Sequence, residues 1–405
     1  MLKFLNIQKK VKNKEFTRVT VTFLGVKINF KIRTKIKNCV AIVDCGGIGD
    51  YMFCRPYFRF LKESPKFKNS YFIYLCKEAY QDMVKIYDSN IFNEVITYNE
   101  DYRTIRKKLK KYEIHTLINL FSLNGVNKFR GWLGRYNLVK NLKTKKKIAD
   151  VIIETEEDLK NPNLRIYDEL IITKTKDFEL ERRRQFFEKL SKVSLPRTEK
   201  KIQALVNFNF SKDYMCISLF TNVTKRNYDE NKWIDILNHI LNKIPDDMQL
   251  IFLGGINDRL KIGNIIEQLN SNSFKCVNLA GLCNISLVPS ILKKSKLLLS
   301  TETGTVHIAE SVNCPTICIS CGAYYGRFLP YNTDKISYIF PDEFDKILKE
   351  NDTKKLESFY LANWTYSTKD IPSQKVIKEI DKFLHNNFSQ TGMVVERESN
   401  PSICQ

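Results

Sequence analysis

The sequence predicts an α/β protein made of two doubly wound parallel-sheet domains. Short apolar runs recur along the chain with helix-like segments between them, the pattern of a parallel sheet. The alternation occurs twice, on either side of a polar stretch near 195–212. The chain has 405 residues, 43% of them hydrophobic, which is too long for one ordinary domain and enough for two cores.

In chain order, residues 1–38 form a basic N-terminal extension. Its segment TVTFLGVKINFKI partly alternates around a glycine and predicts a short hairpin. The first domain spans 39–205. Its strands are CVAIVD (39–44), YFIYLC (71–76), NEVITY (93–98) and HTLINLF (115–121), and a helix-like stretch starts at Tyr51. Residues 122–200 carry less pattern: KTKKK (143–147) reads as a solvated loop or basic face, and ELERRRQFFEKL (179–190) as an amphipathic helix. The second domain spans 206–390. Its strands are YMCISLF (214–220), QLIFLGG (249–255), KCVNLAG (275–281), KLLLS (296–300) and PTICIS (315–320). Helices are expected over 229–243, 257–270, 286–294 and 303–313. Beyond 322 the pattern loosens until the helix-like KVIKEIDKFLHNNF (375–388), and 391–405 reads as a flexible tail.

Lys and Arg number 66 against 45 Asp and Glu, a formal net charge of +21. Such a surface attracts nucleic acid, anionic lipid or phosphorylated substrates, although overuse of Lys, Asn and Ile also explains the excess. The composition excludes a disordered or collagen-like chain. Eleven cysteines with no secretory signal at the start suggest reduced, buried thiols. Cys314, Cys318 and Cys321 are close in sequence, but the single CxxC lies in a strand-like run without a second pair, so core packing is expected and no metal site. No stretch of 18 or more uncharged apolar residues is present to span a membrane as a helix.

Residues able to do chemistry cluster where strands end. The first strand runs into Cys45-Gly46-Gly47-Ile48-Gly49-Asp50, a glycine turn that lets backbone N–H groups approach an anion. Gly47 and Gly49 start a dinucleotide fingerprint, but its third glycine position holds Met52 and the second strand ends in Cys76-Lys77, without the acid a ribose needs. Asp50 stands where strand gives way to helix; it serves either as a helix cap or as a catalytic carboxylate. In Leu299-Ser300-Thr301-Glu302-Thr303-Gly304-Thr305-Val306-His307 a buried strand opens into a helix. Thr303 and the N–H groups beyond it suit a phosphate, Glu302 suits sugar hydroxyls, and His307 is either a core histidine or a wall of the same crevice. After the strand ending at Ser218, the loop Thr221–Arg226 is either an exposed charged loop or a diphosphate site built on Lys225 and Arg226. Such sites on two α/β domains suggest a cleft for a nucleotide-activated substrate. No Asp-x-Asp is present, which leaves Lys, Arg and helix ends to neutralise the diphosphate.

These residues resemble glycosyltransferase family 9, the heptosyltransferases of lipopolysaccharide assembly. VAIVDCGGIGDYMFCRPYFRFLK is similar to the family's opening strand, Gly-Asp turn and helix, and the segment from LAGLCNISL to CISCGA is similar to its closing signature. FLGGINDR (252–259), with Gly254, matches the Gly-Gly turn, and SLFTNVTKRN, followed by Trp233, resembles the loop with a phosphate-binding lysine. The resemblance implies a GT-B fold, two Rossmann-like domains facing across a cleft. It implies inverting, metal-independent transfer from a nucleotide diphosphate sugar, ADP-heptose being one such donor, with no cofactor. Asp50 becomes the general base; Lys225, Thr303 and Gly304 meet the donor phosphates, with His307 nearby. Thr221, Arg226, Glu302, Thr305 and Gly254 complete the donor-binding set. The family's Asp before Thr-Gly is Glu302 here, one methylene longer.

The expectation is an enzyme that moves a heptose or related sugar to a lipid-linked glycan: lipopolysaccharide, lipooligosaccharide or a similar surface glycan. It would be cytoplasmic and peripherally bound to the anionic inner face of the cytoplasmic membrane through residues 1–37. Its rivals are a noncatalytic sugar-nucleotide-binding relative, favoured by Glu302, and a nucleic-acid-binding protein, favoured by charge alone; no nucleic acid partner is expected.

Overall fold

Apolar runs without polar alternation become strands covered on both faces, the usual state of a parallel sheet. The computed structural model describes residues 5–11, 16–23, 26–33, 35–44, 46–97, 102–124, 133–152, 156–173, 176–204, 210–361 and 363–388. The tail 391–405, Phe4, Lys12, Lys14 and Cys45 lie outside the described residues. Two units are distinguished: unit 1 holds 1–47, 57–175 and 182–197, and unit 2 holds 48–56, 176–181 and 198–405.

Unit 1 opens with β1 (Leu5–Val11), β2 (Phe16–Phe23) and β3 (Val26–Arg33), an antiparallel sheet in the order β1-β2-β3. The expected hairpin corresponds to β2 and β3; β1, whose alternation is diluted by Gln and Lys, adds a third strand. Lys10 pairs in register with Arg18, and Arg18 with Lys31, so bases align across the sheet. Val26 and Ile28 are exposed.

The main sheet of unit 1 contains β4 (Ile36–Val43), β5 (Tyr71–Cys76), β6 (Glu94–Thr97), β7 (Tyr112–Asn124), β8 (Lys146–Ile152) and β9 (Glu169–Thr173). All pairs are parallel, in the order β6-β5-β4-β7-β8-β9. The reading of KTKKK as a loop or basic face is corrected at its end, since Lys146 and Lys147 begin β8. That strand brings Asp150 into the interior, where it binds Arg182 and Arg183 at 2.8 and 2.9 Å. The charged stretch in the helix Glu179–Ser191 therefore lies partly inside, held by a buried carboxylate that sequence periodicity does not show.

Unit 2 repeats the plan with β10 (Tyr214–Ser218), β11 (Gln249–Phe252), β12 (Cys276–Asn278), β13 (Leu298–Thr301), β14 (Thr316–Ile319) and β15 (Ile336–Ile339). The parallel order is β12-β11-β10-β13-β14-β15. Beyond 322 the chain is more ordered than its pattern suggests. It supplies β15 and the helices Asp342–Lys349, Thr353–Glu357 and Ser373–Phe388. The helix Glu230–Lys243 shows how sequence sets local structure. Asp229 caps it by accepting from the N–H groups of Asn231 and Lys232, and Trp233, Ile236, Leu237, Ile240 and Leu241 form its buried stripe. Cys314, Cys318 and Cys321 are buried, and burial first of all raises their thiol pKa values, that of Cys321 to about 11.

Candidate active site

In each six-stranded sheet the strand order reverses beside the first strand, and ligands of open α/β sheets bind beyond the strand ends at such a point. In unit 2 the reversal lies between β10 and β13. The loop Thr221–Arg226 follows β10, and Glu302–Thr305 follows β13, so both polar motifs leave the sheet beside the reversal.

The second motif forms a capped helix N-terminus. Thr303 accepts from the Thr305 N–H at 3.2 Å and starts the helix Gly304–Ser311. Its first-turn N–H groups have no intrahelical acceptors, and the helix dipole favours an anion there. Glu302 just precedes it, buried, with Oε1 2.7 Å from Arg226 and Oε2 accepting from the Ser320 hydroxyl at 2.7 Å. Burial raises the Glu302 carboxyl pKa, while Arg226 and Ser320 pull it back. Arg226 also lies over the rings of Tyr324 and Trp364, at 5.4 and 5.3 Å. Its Nε has no hydrogen-bond partner among the described residues.

Thr221 takes its place from the Asn227 side chain, which accepts from its N–H at 2.8 Å. Lys225 is anchored through its carbonyl, which accepts from Ser367 and Thr368. Its ammonium makes no ion pair among the described residues, whereas Arg226 is already engaged by Glu302. Gly254 follows β11 and packs against Asp258 and Ala280. Gly47 belongs to the turn after β4, where the Gly46 N–H donates to the Asp44 side chain at 3.0 Å.

Asp50 lies in the first turn of the helix Ile48–Glu63, and residues 48–56 of that helix belong to unit 2. Two close approaches join its start to the helix Gly304–Ser311. A methyl group on Gly304 would stand 2.9 Å from Ile48 Cβ, and one on Gly49 would stand 2.6 Å from Cδ2 of His307. Only glycine allows either approach. The charge of Asp50 acts on the Tyr324 hydroxyl, whose pKa is raised mainly by burial, lowered by Arg226 and Arg327, and raised again by Asp50. Asp50, Gly49, Glu302, Thr303, Gly304, His307 and Arg226 thus share one neighbourhood. Lys225 and Thr221 sit on the adjoining loop.

His307 Nδ1 is within hydrogen-bond distance of the Tyr331 hydroxyl, which also accepts from Lys200 Nζ. Burial, then the charges of Lys200 and Arg226, hold the imidazole pKa well below its usual value. Lys200 is buried against the rings of Phe53 and Tyr331 and makes an ion pair with Glu310 at 2.9 Å. Sequence reading missed Lys200, Ser320, Tyr324, Tyr331 and Trp364. The only available hint was the aromatic density of AYYGRFLPY after β14. Tyr324, with φ +64, occupies the left-handed region, sparsely used by non-glycine residues.

Residues 170–355 match the family model of glycosyltransferase family 9 (heptosyltransferase). No curated protein matches the chain. Among solved structures, the chain is similar to a glycosyl transferase family 9 protein from Veillonella parvula, with TM-score 0.58, 13% identity, and 86% of this chain and 98% of that one covered. It is similar to the E. coli ADP-heptose lps heptosyltransferase II, with TM-score 0.57, 13% identity and coverage of 86% and 99%. It is also similar to the E. coli heptosyltransferase WaaC with ADP-2-deoxy-2-fluoro heptose, with TM-score 0.57, 14% identity and coverage of 86% and 99%. The two six-stranded parallel sheets have the fold of these family 9 glycosyltransferase structures, and residues 170–355, somewhat under half of the chain, are similar to glycosyltransferase family 9 (heptosyltransferase).

Proposed function

We propose that the protein transfers a heptose or related sugar from a nucleotide diphosphate donor, ADP-heptose being the first candidate, to a lipid-linked glycan acceptor such as lipopolysaccharide or lipooligosaccharide. The observation that carries the reading is the approach of two helix starts, Ile48-Gly49-Asp50 and Thr303-Gly304-Thr305, through His307 and Ile48. It supports a reading in which the Asp50 carboxylate and an anion at the start of the helix Gly304–Ser311 act together.

In this reading the donor diphosphate lies at the start of the helix Gly304–Ser311, with Thr303, Gly304 and Thr305 offering N–H groups and a hydroxyl. Lys225, Arg226 and Thr221 come from the loop after β10, and Gly254 borders the nucleotide. Glu302, fixed by Arg226 and Ser320, faces the sugar. Asp50 takes the proton of the acceptor hydroxyl as its oxygen attacks the anomeric carbon. The carbon–oxygen bond to the diphosphate breaks on the opposite side, so the configuration inverts. The charge left on the nucleoside diphosphate is neutralised by Lys225, Arg226 and the helix dipole rather than by a metal or other cofactor.

The acceptor's lipid anchor calls for contact with a membrane, and no helix among the described residues is long and apolar enough to cross one. The bases in register across β1–β3 and the exposed Val26 and Ile28 support peripheral binding to an anionic inner face of the cytoplasmic membrane. The test of the reaction is release of nucleoside diphosphate from a panel of nucleotide sugars, with wild type and Asp50→Asn. General-base assistance is worth roughly 10²–10⁴-fold, so the variant should lose about that factor while still binding donor. Normal turnover by Asp50→Asn would remove the assignment.

A further inference from the structure

Behind the site, Glu310, Lys200, Tyr331 and His307 form a chain of contacts within unit 2. Its direction follows from donor and acceptor capacity. The Lys200 side chain is buried, and its pKa is pushed down to about 8 by burial, with Glu310 opposing, so it is a cation at pH 7. An ammonium only donates, so Tyr331 must accept from it. The Tyr331 hydroxyl has one proton of its own, and among the described residues its remaining hydrogen-bond partner is His307 Nδ1. If Nδ1 carried the ring proton, the buried tyrosine O–H would have no acceptor, a cost of about 1–3 kcal/mol. A doubly protonated ring meets the same conflict and adds a cation next to Lys200 and Arg226. Nδ1 therefore accepts, and the ring proton sits on Nε2. That nitrogen lies on the edge of the ring turned toward Gly49, 2.9 Å from where a methyl group there would stand, and makes no hydrogen bond among the described residues.

We propose that Lys200 and Tyr331 are positioning residues that hold His307 neutral with its proton on Nε2, so that the ring presents an N–H donor beside Gly49 to an oxygen of the donor substrate. The substrate clause rests on the function proposed above; the tautomer does not.

The full-length protein labelled with ¹⁵N-histidine, studied by long-range ¹H–¹⁵N correlation at pH 7, reads the tautomer directly. His307→Gln assigns the signals. The expected pattern is a protonated Nε2 and an unprotonated Nδ1; a ring protonated on Nδ1, or on both nitrogens, overturns the proposal without any other variant. In Lys200→Met and Tyr331→Phe the Nδ1–H form should appear, because nothing then compels the tyrosine proton toward the ring. A spectrum unchanged in both variants removes their positioning role. Saturating ADP should move the Nε2 resonance while the tautomer stays; ADP that binds without moving it overturns the substrate clause. Failure of ADP to bind counts against ADP-heptose as donor and removes the substrate clause, with the tautomer judged separately from the unliganded spectrum.

Discussion

The imidazole of His307 packs on the α-carbon of Gly49 so closely that a methyl group there would meet Cδ2 at 2.6 Å. In an exposed helix, replacing glycine by alanine normally stabilises by about 0.5–1 kcal/mol. Here the obstacle is a ring tied to Tyr331, so overpacking should outweigh that gain, at roughly 1–3 kcal/mol. Gly49→Ala is expected to lower stability in denaturant titrations and to displace Asp50. Gly263, in the helix Arg259–Glu267 with nothing within 4 Å of an added methyl group, provides the opposite case. Gly263→Ala should be more stable. Equal shifts in both variants would remove the steric argument.

Glu302 and Arg226 form a largely buried pair at 2.7 Å. Removing one partner of such a pair typically costs about 3–5 kcal/mol, because the other charge stays buried. The Tyr324 and Trp364 rings hold Arg226 in place, so it cannot readily swing into water. Glu302→Gln should therefore destabilise the fold by roughly 3 kcal/mol, and Arg226→Met in the same chain should recover part of that loss. Glu302→Asp keeps the charge but shortens the arm, and should change which donor sugar is used more than how tightly free nucleotide binds. Additive losses in the double variant would show that the two residues are not coupled.

The strands of both sheets that carry glycine or hydroxyl turns were legible, because buried parallel strands read as apolar runs and their turns as small polar residues. The β8, β9 and β15 strands were not. Lys146 and Lys147 open β8 with partly exposed charges, and ISYI is too short to stand out. The polar motifs were legible one at a time. Their assembly was not, since the pairing of Arg226 with Glu302 and the seating of His307 on Gly49 depend on sheet order. Lys200 was least legible: it lies in a polar stretch that reads as linker, and only Phe53, Tyr331 and Glu310 around it show that it is inside.

The buried ammonium gives stability a pH dependence of known sign. Burial pushes the pKa of Lys200 down to about 8 in the folded protein, against the ordinary lysine value of 10.5. Between these values the unfolded chain binds more protons, so stability rises with pH across this window and is level below it. At about 1.36 kcal/mol per pH unit, the rise is on the order of 3 kcal/mol. Lys200→Met lacks it. Denaturant unfolding of both proteins from pH 7 to 10.5 should give curves that diverge above pH 8 in favour of wild type; parallel curves would show that Lys200 titrates normally.

Lys225 is the cation of the polar loop left without an ion pair among the described residues, which suits it to a diphosphate. A hydrogen bond to a charged group contributes about 1.5–3 kcal/mol, so Lys225→Ala should weaken nucleoside diphosphate binding by roughly 10- to 150-fold in calorimetry. Thorough chelation should leave turnover intact. Strict dependence on an added divalent ion would contradict metal-independent transfer.

The proposed membrane contact rests on residues 1–37. Lys9 and Lys10 lie on β1, Lys31 and Arg33 on β3, and Lys35 and Lys37 follow. Lys10 is in register with Arg18, and Arg18 with Lys31, across the sheet. A base near such a surface contributes about 1 kcal/mol, and the attraction fades beyond a Debye length of roughly 8–10 Å. Several bases together are expected to give binding that salt reverses, with the exposed Val26 and Ile28 available for apolar contact. The protein should sediment with vesicles containing anionic lipid, stay in solution with neutral ones, and be released as salt rises. Deleting residues 1–37 should weaken sedimentation strongly while transfer to a soluble acceptor analogue persists, because the residues proposed for donor binding and proton transfer all lie further along the chain. Equal binding to neutral vesicles, or unchanged sedimentation after truncation, would overturn the assignment.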